Sequence, residues 1–107
     1  MLPKRNRLLR KEILAMRDKP LIFQGQYFGL IYIAETESKF GVIVSAKIAK
    51  SAVVRNQIKR NLFRAIETQE LRPGWYLFLA KKAAANATEE EIKAELANLR
   101  LGMEKRK

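Results

Sequence analysis

One stretch of the chain decides how it folds. Residues 40–80 read FGVIVSAKIAKSAVVRNQIKRNLFRAIETQELRPGWYLFLA. Residues 40–47 and 75–80 are rich in apolar and β-branched or aromatic residues and are predicted strands, whereas 52–70 carries apolar residues at helical spacing. Arg72-Pro73-Gly74 is a turn signal between the helix and the second strand. Because residues 40–44 form a nearly continuous apolar run, we expect a central strand that is covered on both faces.

The residues before this stretch predict one short helix and two more strands. Residues 1–9 are basic and indicate an extended arm, and residues 10–17 are predicted to form a helix that Pro20 ends. Its apolar side consists of Ile13, Leu14 and Met16. Residues 21–24 and 26–35 read as strands on either side of Gly25.

The residues after this stretch predict a loop and a final helix. Residues 83–87 read as a loop, and Thr88 with Glu91 forms a capping box that opens the last helix. The apolar stripe of this helix is Ile92, Leu96, Leu99 and Met103. We expect Gly102 near its end, before a basic tail at 104–107. The order αβββαβα predicts an α+β two-layer sandwich with a four-stranded sheet, in one domain spanning 1–107.

The net charge points to a polyanionic partner. Lys and Arg total 22 and Asp and Glu total 11, which gives +11 at pH 7. Such a charge destabilises a compact chain by self-repulsion, and nucleic acid is the first candidate to neutralise it. Solubility and an anionic membrane surface are the alternatives. No apolar run approaches the roughly 18 residues of a membrane helix, and no secretory stretch is present, so we expect a cytoplasmic protein.

The chain has neither Cys nor His. Disulfides and thiolate metal sites are thereby excluded, and the commonest general base and transition-metal ligand are missing. We therefore predict no catalytic residue and no metal site in this chain. A nuclease that uses Glu35, Glu37 or Glu67 with a metal is a weakly supported alternative.

Positive charge concentrates in two segments. Residues 4–17 hold six basic residues against the single acid Glu12 before Asp18, and residues 47–64 hold Lys47, Lys50, Arg55, Lys59, Arg60 and Arg64 with no acid. On the long helix, Arg55 and Lys59 are four residues apart, as are Arg60 and Arg64. Residues at this spacing are neighbours on a helix surface, and like charges without interleaved acids indicate an anionic partner rather than a solvated face.

Asn56 and the aromatic residues are further candidates for contact with RNA. Asn56 lies among the cations and can read a sugar hydroxyl or base edge, or it can cap the first turn of the helix. Because strand side chains alternate between faces, Tyr27 and Phe28 cannot both point inward, nor can Trp75 and Tyr76. An aromatic on an open sheet can stack unpaired bases, although each one can equally belong to the core.

Two motifs resemble those of a known family. Residues 4–8 (KRNRL) are similar to the N-terminal signature of the bacterial ribonuclease P protein subunit. Residues 52–60 (AVVRNQIKR) resemble its central motif, Ala-Val-x-Arg-Asn-x-x-Lys-Arg. The turn at 72–74, before a strand ending in Ala80-Lys81, is similar to the family's last strand.

The resemblance implies both a fold and an activity. The fold would be a sandwich with a left-handed crossover from the third strand through the long helix to the fourth, like a domain of a small-subunit ribosomal protein. The protein would be a non-catalytic subunit that binds a large catalytic RNA. That RNA performs Mg²⁺-dependent cleavage to give the mature 5′ end of tRNA. The protein would hold the single-stranded 5′ leader of precursor tRNA in a cleft between the long helix and the sheet. No protein partner and no membrane are implied.

Matching positions give the expected site residues. The RNA-binding set is Arg5, Asn6, Arg7, Lys47, Lys50, Arg55, Asn56, Lys59, Arg60 and Arg64. The leader cleft is assigned to Tyr32, Phe28 and Leu14, and an alignment shifted by one residue would move the aromatic role to Ile31 on the other strand face. The sequence departs from the family at Ala46, Gln57 and Phe63, where basic residues are common. Leu14 and Asp18 stand near positions where the first helix usually carries Phe.

Two other classes of protein remain to be weighed. A basic ribosomal protein has the same composition, and only the motif pair distinguishes it. A DNA-binding regulator could insert the long helix in a major groove, but no second helix precedes it at helix-turn-helix spacing.

Overall fold

The structure is a computed structural model that describes residues 7–16 and 20–105. Within these residues the helices and strands follow the predicted order. They are α1 (Arg10–Ala15), β1 (Leu21–Gln24), β2 (Phe28–Ile33), β3 (Lys39–Ile43), α2 (Ala52–Glu67), β4 (Trp75–Ala80) and α3 (Glu89–Lys105). Where a loop was predicted at residues 83–87, the structure has a 3₁₀ helix at Lys82–Asn86. No helix in the described ranges is long and apolar enough to cross a membrane.

The four strands form one mixed sheet in the order β1-β2-β4-β3. β2 pairs antiparallel with β1 and β4, whereas β3 pairs parallel with β4. The helix α2 is therefore the crossover between two adjacent parallel strands. The α+β fold with a four-stranded sheet is confirmed, and the left-handed sense of the crossover stays a prediction of the resemblance.

The third strand lies at the edge of the sheet, so the prediction of a central strand is wrong. The apolar run has another cause, because β3 is covered on both faces locally. Phe40 is buried in the core. On the other face, a Cβ built at Gly41 would lie 3.3 Å from side-chain atoms of Leu8. The Leu8 N–H also donates to the Phe40 carbonyl at 2.9 Å, so residues 7–8, which we call the N-terminal segment, pair with the free side of β3.

One face of the sheet packs against the two long helices. Phe28, Leu30 and Tyr32 alternate along β2 and are all buried. They join one hydrophobic cluster with residues of β4, α2 and α3, including Tyr76, Phe78, Ile58, Leu62, Ile92 and Leu96. Since side chains two apart share a face, this parity fixes the core side of the sheet.

Both long helices begin at capped residues. The Ser51 Oγ accepts from the Val53 and Val54 N–H groups at 3.2 and 3.5 Å. Ser51 thus caps α2, and the alternative reading of Asn56 as the cap is wrong. At α3 the predicted capping box is present: Glu91 N–H donates to Thr88 Oγ1 at 3.2 Å, and Thr88 N–H donates to Glu91 at 2.9 Å. Unlike the predicted long helix, α2 ends at Glu67 and not at residue 70.

A buried carboxylate fastens α3 to the turn between β1 and β2. Glu95 accepts hydrogen bonds from the backbone N–H groups of Gln26, Tyr27 and Phe28, the last at 2.8 Å. A Cβ at Gly25 would lie 2.5 Å from the Glu95 carboxyl carbon. Only glycine therefore fits this turn without moving the carboxylate, and the sequence pattern alone gave no sign of this contact.

Candidate nucleic-acid interface

The two basic segments of the sequence meet at the outer edge of β3. A groove there is bounded by the N-terminal segment, β3 and α2, and we call it the basic groove. Its lining residues are Arg7, Leu8, Ile13, Phe40, Gly41, Val42, Lys59 and Phe63. Arg7 comes from the first basic segment and Lys59 from the second. Their charges therefore converge on one surface although they are far apart in sequence.

The exposed side of α2 continues this positive surface. Asn56, Arg60 and Arg64 are exposed at four-residue spacing, and Lys59 is half-buried beside them. Arg64 forms an ion pair with Glu89 at 3.4 Å. An exposed pair of this kind contributes about 0–1 kcal/mol, so phosphate can compete for the Arg64 guanidinium.

The loop before α2 carries the other two predicted lysines. Lys47 and Lys50 are exposed. Arg55 is half-buried, and its Nη1 donates to the carbonyls of Ala49 at 2.8 Å and Lys50 at 2.9 Å. The predicted residues Lys47, Lys50, Arg55, Asn56, Lys59, Arg60 and Arg64 thus lie on α2 or on the loop that leads into it. Arg5 and Asn6 lie outside the described residues.

Tyr32 and Phe28 do not line an accessible cleft, and that prediction is wrong. Each side chain is 2% exposed. The Tyr32 hydroxyl donates to the Pro73 carbonyl at 2.6 Å, and its ring lies 4.8 Å from the Tyr76 ring. The space between α2 and the sheet, where the resemblance implied a cleft, is filled by the core. Strand alternation predicted two faces correctly but did not say which of them the helices cover.

The opposite face of the sheet is aliphatic and partly exposed, and we call it the open sheet face. Leu77 at its centre is buried, and Leu8 lies over Gly41 beside it. Ile22, Ile43 and Leu79 are 53%, 44% and 36% exposed. Ile31 stands between Ile22 and Leu77 in the strand register and shares this face. Ile31 is the residue to which a one-residue shift of the alignment moves the cleft role. The remaining predicted cleft residue, Leu14 on α1, is 53% exposed.

One end of the open sheet face carries an aromatic ring under a cation. The Lys39 ammonium lies 5.7 Å from the centre of the Trp75 ring and 2.5 Å from a carboxylate oxygen of Glu12. The hydrogen bond from Lys39 holds the pKa of Glu12 below its ordinary value. This contact joins α1 to β3. It was not predicted, because nothing in the spacing of Glu12 and Lys39 marks them as partners.

The described residues provide no metal centre. Residues 7–16 and 20–105 bring together no group of three or more His, Cys, Asp or Glu that could hold a metal ion. Glu35, Glu37 and Glu67, the acids of the nuclease alternative, therefore belong to no such group.

Fold and surface together define a small basic α+β protein with a row of cationic side chains on the exposed side of its long helix. The sequence matches the ribonuclease P family over residues 2–103. The chain belongs to this family, and it is a protein component of the ribonucleoprotein endonuclease whose RNA subunit is its partner. The ribosomal and DNA-binding alternatives are thereby set aside.

Two relatives agree with this assignment. The chain is 32% identical over 95 residues to the ribonuclease P protein component of Picosynechococcus sp., covering 84% of this chain and 82% of that protein. It is 33% identical over 110 residues to the corresponding component of Pseudanabaena sp., covering 92% and 91%.

Solved structures share the fold. A Staphylococcus aureus ribonuclease P protein, described as a mutant with defective mRNA degradation activity, superposes with a TM-score of 0.81 at 21% identity, covering 95% of this chain and 90% of that one. The ribonuclease P protein from Thermotoga maritima gives a TM-score of 0.77 at 20% identity, covering 88% and 94%.

Proposed function

We propose that the protein binds the ribonuclease P RNA through the basic groove and the exposed side of α2, and holds the 5′ leader of precursor tRNA on the open sheet face. The observation that carries the first part is the meeting of Arg7 and Lys59 at one groove. Arg60 follows Lys59 on α2, and Lys47 and Lys50 add exposed positive charge on the loop before this helix. Contacts of this kind neutralise phosphates and position the RNA without reading its sequence.

The open sheet face supports the second part of the proposal. It is the side of the sheet that α2 and α3 leave uncovered, and Ile22 and Leu79 expose apolar surface there. A single-stranded leader has unpaired bases whose faces can pack on such a surface. Because these side chains are aliphatic, the contact relies on apolar packing, with Trp75 as the one tryptophan of the chain at its end.

The chemistry of cleavage is assigned to the RNA subunit. The described residues do not fit a metal site, so no step is routed through a metal held by this chain. Mg²⁺ would be bound by the RNA and would activate the water that attacks the phosphodiester. The protein contributes binding and orientation in the cytoplasm, where we place it.

Reconstitution tests the function as a whole. The protein is added to a bacterial ribonuclease P RNA at low Mg²⁺, and cleavage of a precursor tRNA is followed. We expect cleavage at the mature 5′ end only when both are present. Cleavage by rigorously purified protein alone would overturn the assignment of the chemistry to RNA, and failure of the protein to stimulate the RNA would overturn the proposed function.

The leader surface has its own test. Ile31→Ala combined with Ile22→Ala should weaken binding of precursor tRNA that carries a leader and leave mature tRNA unaffected. Leu101→Ala is the matched control, because Leu101 is also an exposed aliphatic side chain, at 49%, but lies on α3. The fluorescence of Trp75 provides an independent readout, and we expect a leader oligonucleotide to change it. Equal affinity of wild type and the double variant for leader-bearing substrate would contradict the proposal.

A further inference from the structure

The Arg55 side chain donates hydrogen bonds to the backbone of its own chain. Its guanidinium Nη1 donates to two successive carbonyls, those of Ala49 and Lys50, at 2.8 and 2.9 Å. These carbonyls end the loop of residues 45–50, directly before Ser51 caps α2. A charged donor that satisfies two backbone acceptors contributes more than a neutral one, so this contact fixes where the loop ends.

Two further contacts fix the same loop: hydrogen bonds to Ser45 at its beginning and the burial of the Ala49 side chain. The Ser45 carbonyl accepts from the N–H groups of Ile48 at 3.0 Å and Ala49 at 3.2 Å. The Ala49 side chain is 7% exposed and belongs to the hydrophobic core. Lys47 lies between Ser45 and the two carbonyls that Arg55 binds, and the second of those carbonyls belongs to Lys50. Both lysine side chains are exposed.

We propose that Arg55 is a positioning residue, which acts on RNA binding through Lys47 and Lys50 rather than by its own contact with phosphate. The inference rests on the proposed function, because it requires that the two lysines meet RNA. A loop that is already ordered loses less conformational entropy when its lysines bind, and this raises affinity without adding a contact. Removal of Arg55 should therefore lower the affinity for RNA by as much as the two loop lysines raise it.

Lysine cannot replace Arg55 in this role. Arg presents several N–H donors in a rigid planar fork, whereas Lys carries a single flexible ammonium. Arg55→Lys keeps the net charge of the interface but loses the fixed bridge to the two carbonyls. This variant separates the charge at position 55 from the geometry that the guanidinium imposes.

A double-mutant cycle on the full chain tests the proposal. Dissociation constants for ribonuclease P RNA are measured over a range of salt concentrations, for Arg55→Ala, Arg55→Lys, the pair Lys47→Ala with Lys50→Ala, and their combinations. Residues that act through one another give non-additive losses, whereas independent contacts add. Arg60→Ala is the matched control, because Arg60 is an exposed arginine of the same helix and has no assigned role in the loop. Circular dichroism and the Tm establish that each variant is folded at the assay temperature.

We expect Arg55→Ala and Arg55→Lys each to lower affinity by about the same factor as the lysine pair. The slope of log affinity against log salt should fall by up to about two, one for each displaced lysine. In the lysine-pair background, Arg55→Ala should change affinity by less than about twofold, whereas Arg60→Ala should give its full loss there.

The other outcomes overturn the inference. If the losses of Arg55→Ala and the lysine pair add, Arg55 contacts RNA directly. If Arg55→Lys binds like the wild type, charge alone matters at position 55. If Arg60→Ala and the lysine pair both bind RNA normally, the proposed interface itself is wrong and the inference falls with it. If Arg60→Ala weakens RNA binding but the double variant Lys47→Ala with Lys50→Ala does not, the proposed RNA interface is supported and only the positioning role of Arg55 is wrong.

Discussion

At the scale of single residues, Tyr32 is held by three different contacts at the end of β2. Its hydroxyl donates to the Pro73 carbonyl, its ring packs on Tyr76, and the Arg72 guanidinium lies 4.8 Å from its ring centre. These partners all belong to the turn before β4 or to β4 itself. Tyr32 therefore connects the centre of the sheet to the turn that follows α2.

Replacement of Tyr32 should affect stability and not leader recognition. Tyr32→Ala removes a large buried side chain and should lower the free energy of unfolding by about 3–5 kcal/mol. Tyr32→Phe leaves the Pro73 carbonyl without its donor and should cost about 1–2 kcal/mol. Chemical denaturation measures both. A Tyr32→Ala variant with wild-type stability and a loss confined to leader-bearing tRNA would contradict the burial assignment.

The error over Tyr32 has a definite physical origin. Alternation along a strand separates Tyr32 from Ile31 without reference to the rest of the fold. It does not say which of the two the helices cover, because both residues are apolar. The tertiary packing of α2 and α3 decides that, and it requires knowledge of the sheet order. Arg55 is a similar case, since its motif position predicted a charged site but not the bonds to its own loop.

At the scale of elements, α2 serves two purposes on two sides. Ile58 and Leu62 are buried in the core, whereas Arg60 is exposed and Lys59 borders the basic groove. The 3.6-residue period of the helix allows this division because residues three and four apart share a side. This division of α2 was predictable from sequence, as were the order of elements and both motifs.

The two sides of α2 should respond differently to mutation. Lys59→Ala or Arg60→Ala should weaken binding of the ribonuclease P RNA by about 1–3 kcal/mol each, as expected for a charged hydrogen bond, with no change in Tm. Ile58→Ala or Leu62→Ala should instead destabilise the fold by about 2–5 kcal/mol. RNA binding and thermal unfolding measured on the same samples distinguish the two. Unchanged RNA affinity in both cation variants would mean that another surface binds RNA.

The short helix α1 is fastened to the sheet through Glu12, and this fastening should depend on pH. The hydrogen bond from Lys39 lowers the folded-state pKa of Glu12, with help from the Leu9 N–H. A lowered carboxyl pKa contributes stability above the unfolded pKa, and this contribution is lost as pH falls through the folded value. Glu12→Gln should therefore lower the Tm at pH 7 and make little difference at about pH 3. A Tm difference that is the same at both pH values would show that the charge of Glu12 is not involved.

The position of β3 in the sheet could not be predicted from its apolar run. Such a run indicates that both faces of a strand are covered, but it does not indicate which part of the chain covers them. Phe40 faces the core, and Gly41 lies under Leu8 from the N-terminal segment. An edge strand covered by a short segment of its own chain has the same composition as a strand in the middle of a sheet. Sheet order is set by long-range pairing, which no local pattern contains.

At the scale of the whole molecule, positive charge is concentrated on one surface. Arg7 and Lys59 line the basic groove and Arg60 follows on α2, while the acidic start of α3 meets this helix where Glu89 pairs with Arg64. A concentrated positive surface orients the protein as it approaches a polyanion and raises the rate of association. The affinity for RNA should consequently depend strongly on ionic strength.

The salt dependence can be stated as a magnitude. If about six phosphates are neutralised, affinity should fall by roughly 10³-fold between about 50 and 200 mM salt for duplex-like sites. A filter-binding titration with ribonuclease P RNA measures this. A variant with Leu101→Ala, which changes no charge, should follow the same slope. A nearly flat titration would mean that the positive side does not meet the RNA.

The pairing of Leu8 with Phe40 has a consequence for handling the protein. The outer side of β3 would otherwise be a row of unsatisfied backbone groups, which is a template for another chain. A protein shortened to begin after Leu8 should expose this row and self-associate, and light scattering would detect the resulting oligomers. Wild-type protein at the same concentration is the control, and a shortened chain that stays monomeric would refute the idea. We therefore expect the pairing of residues 7–8 with β3 to protect this edge of the sheet against aggregation.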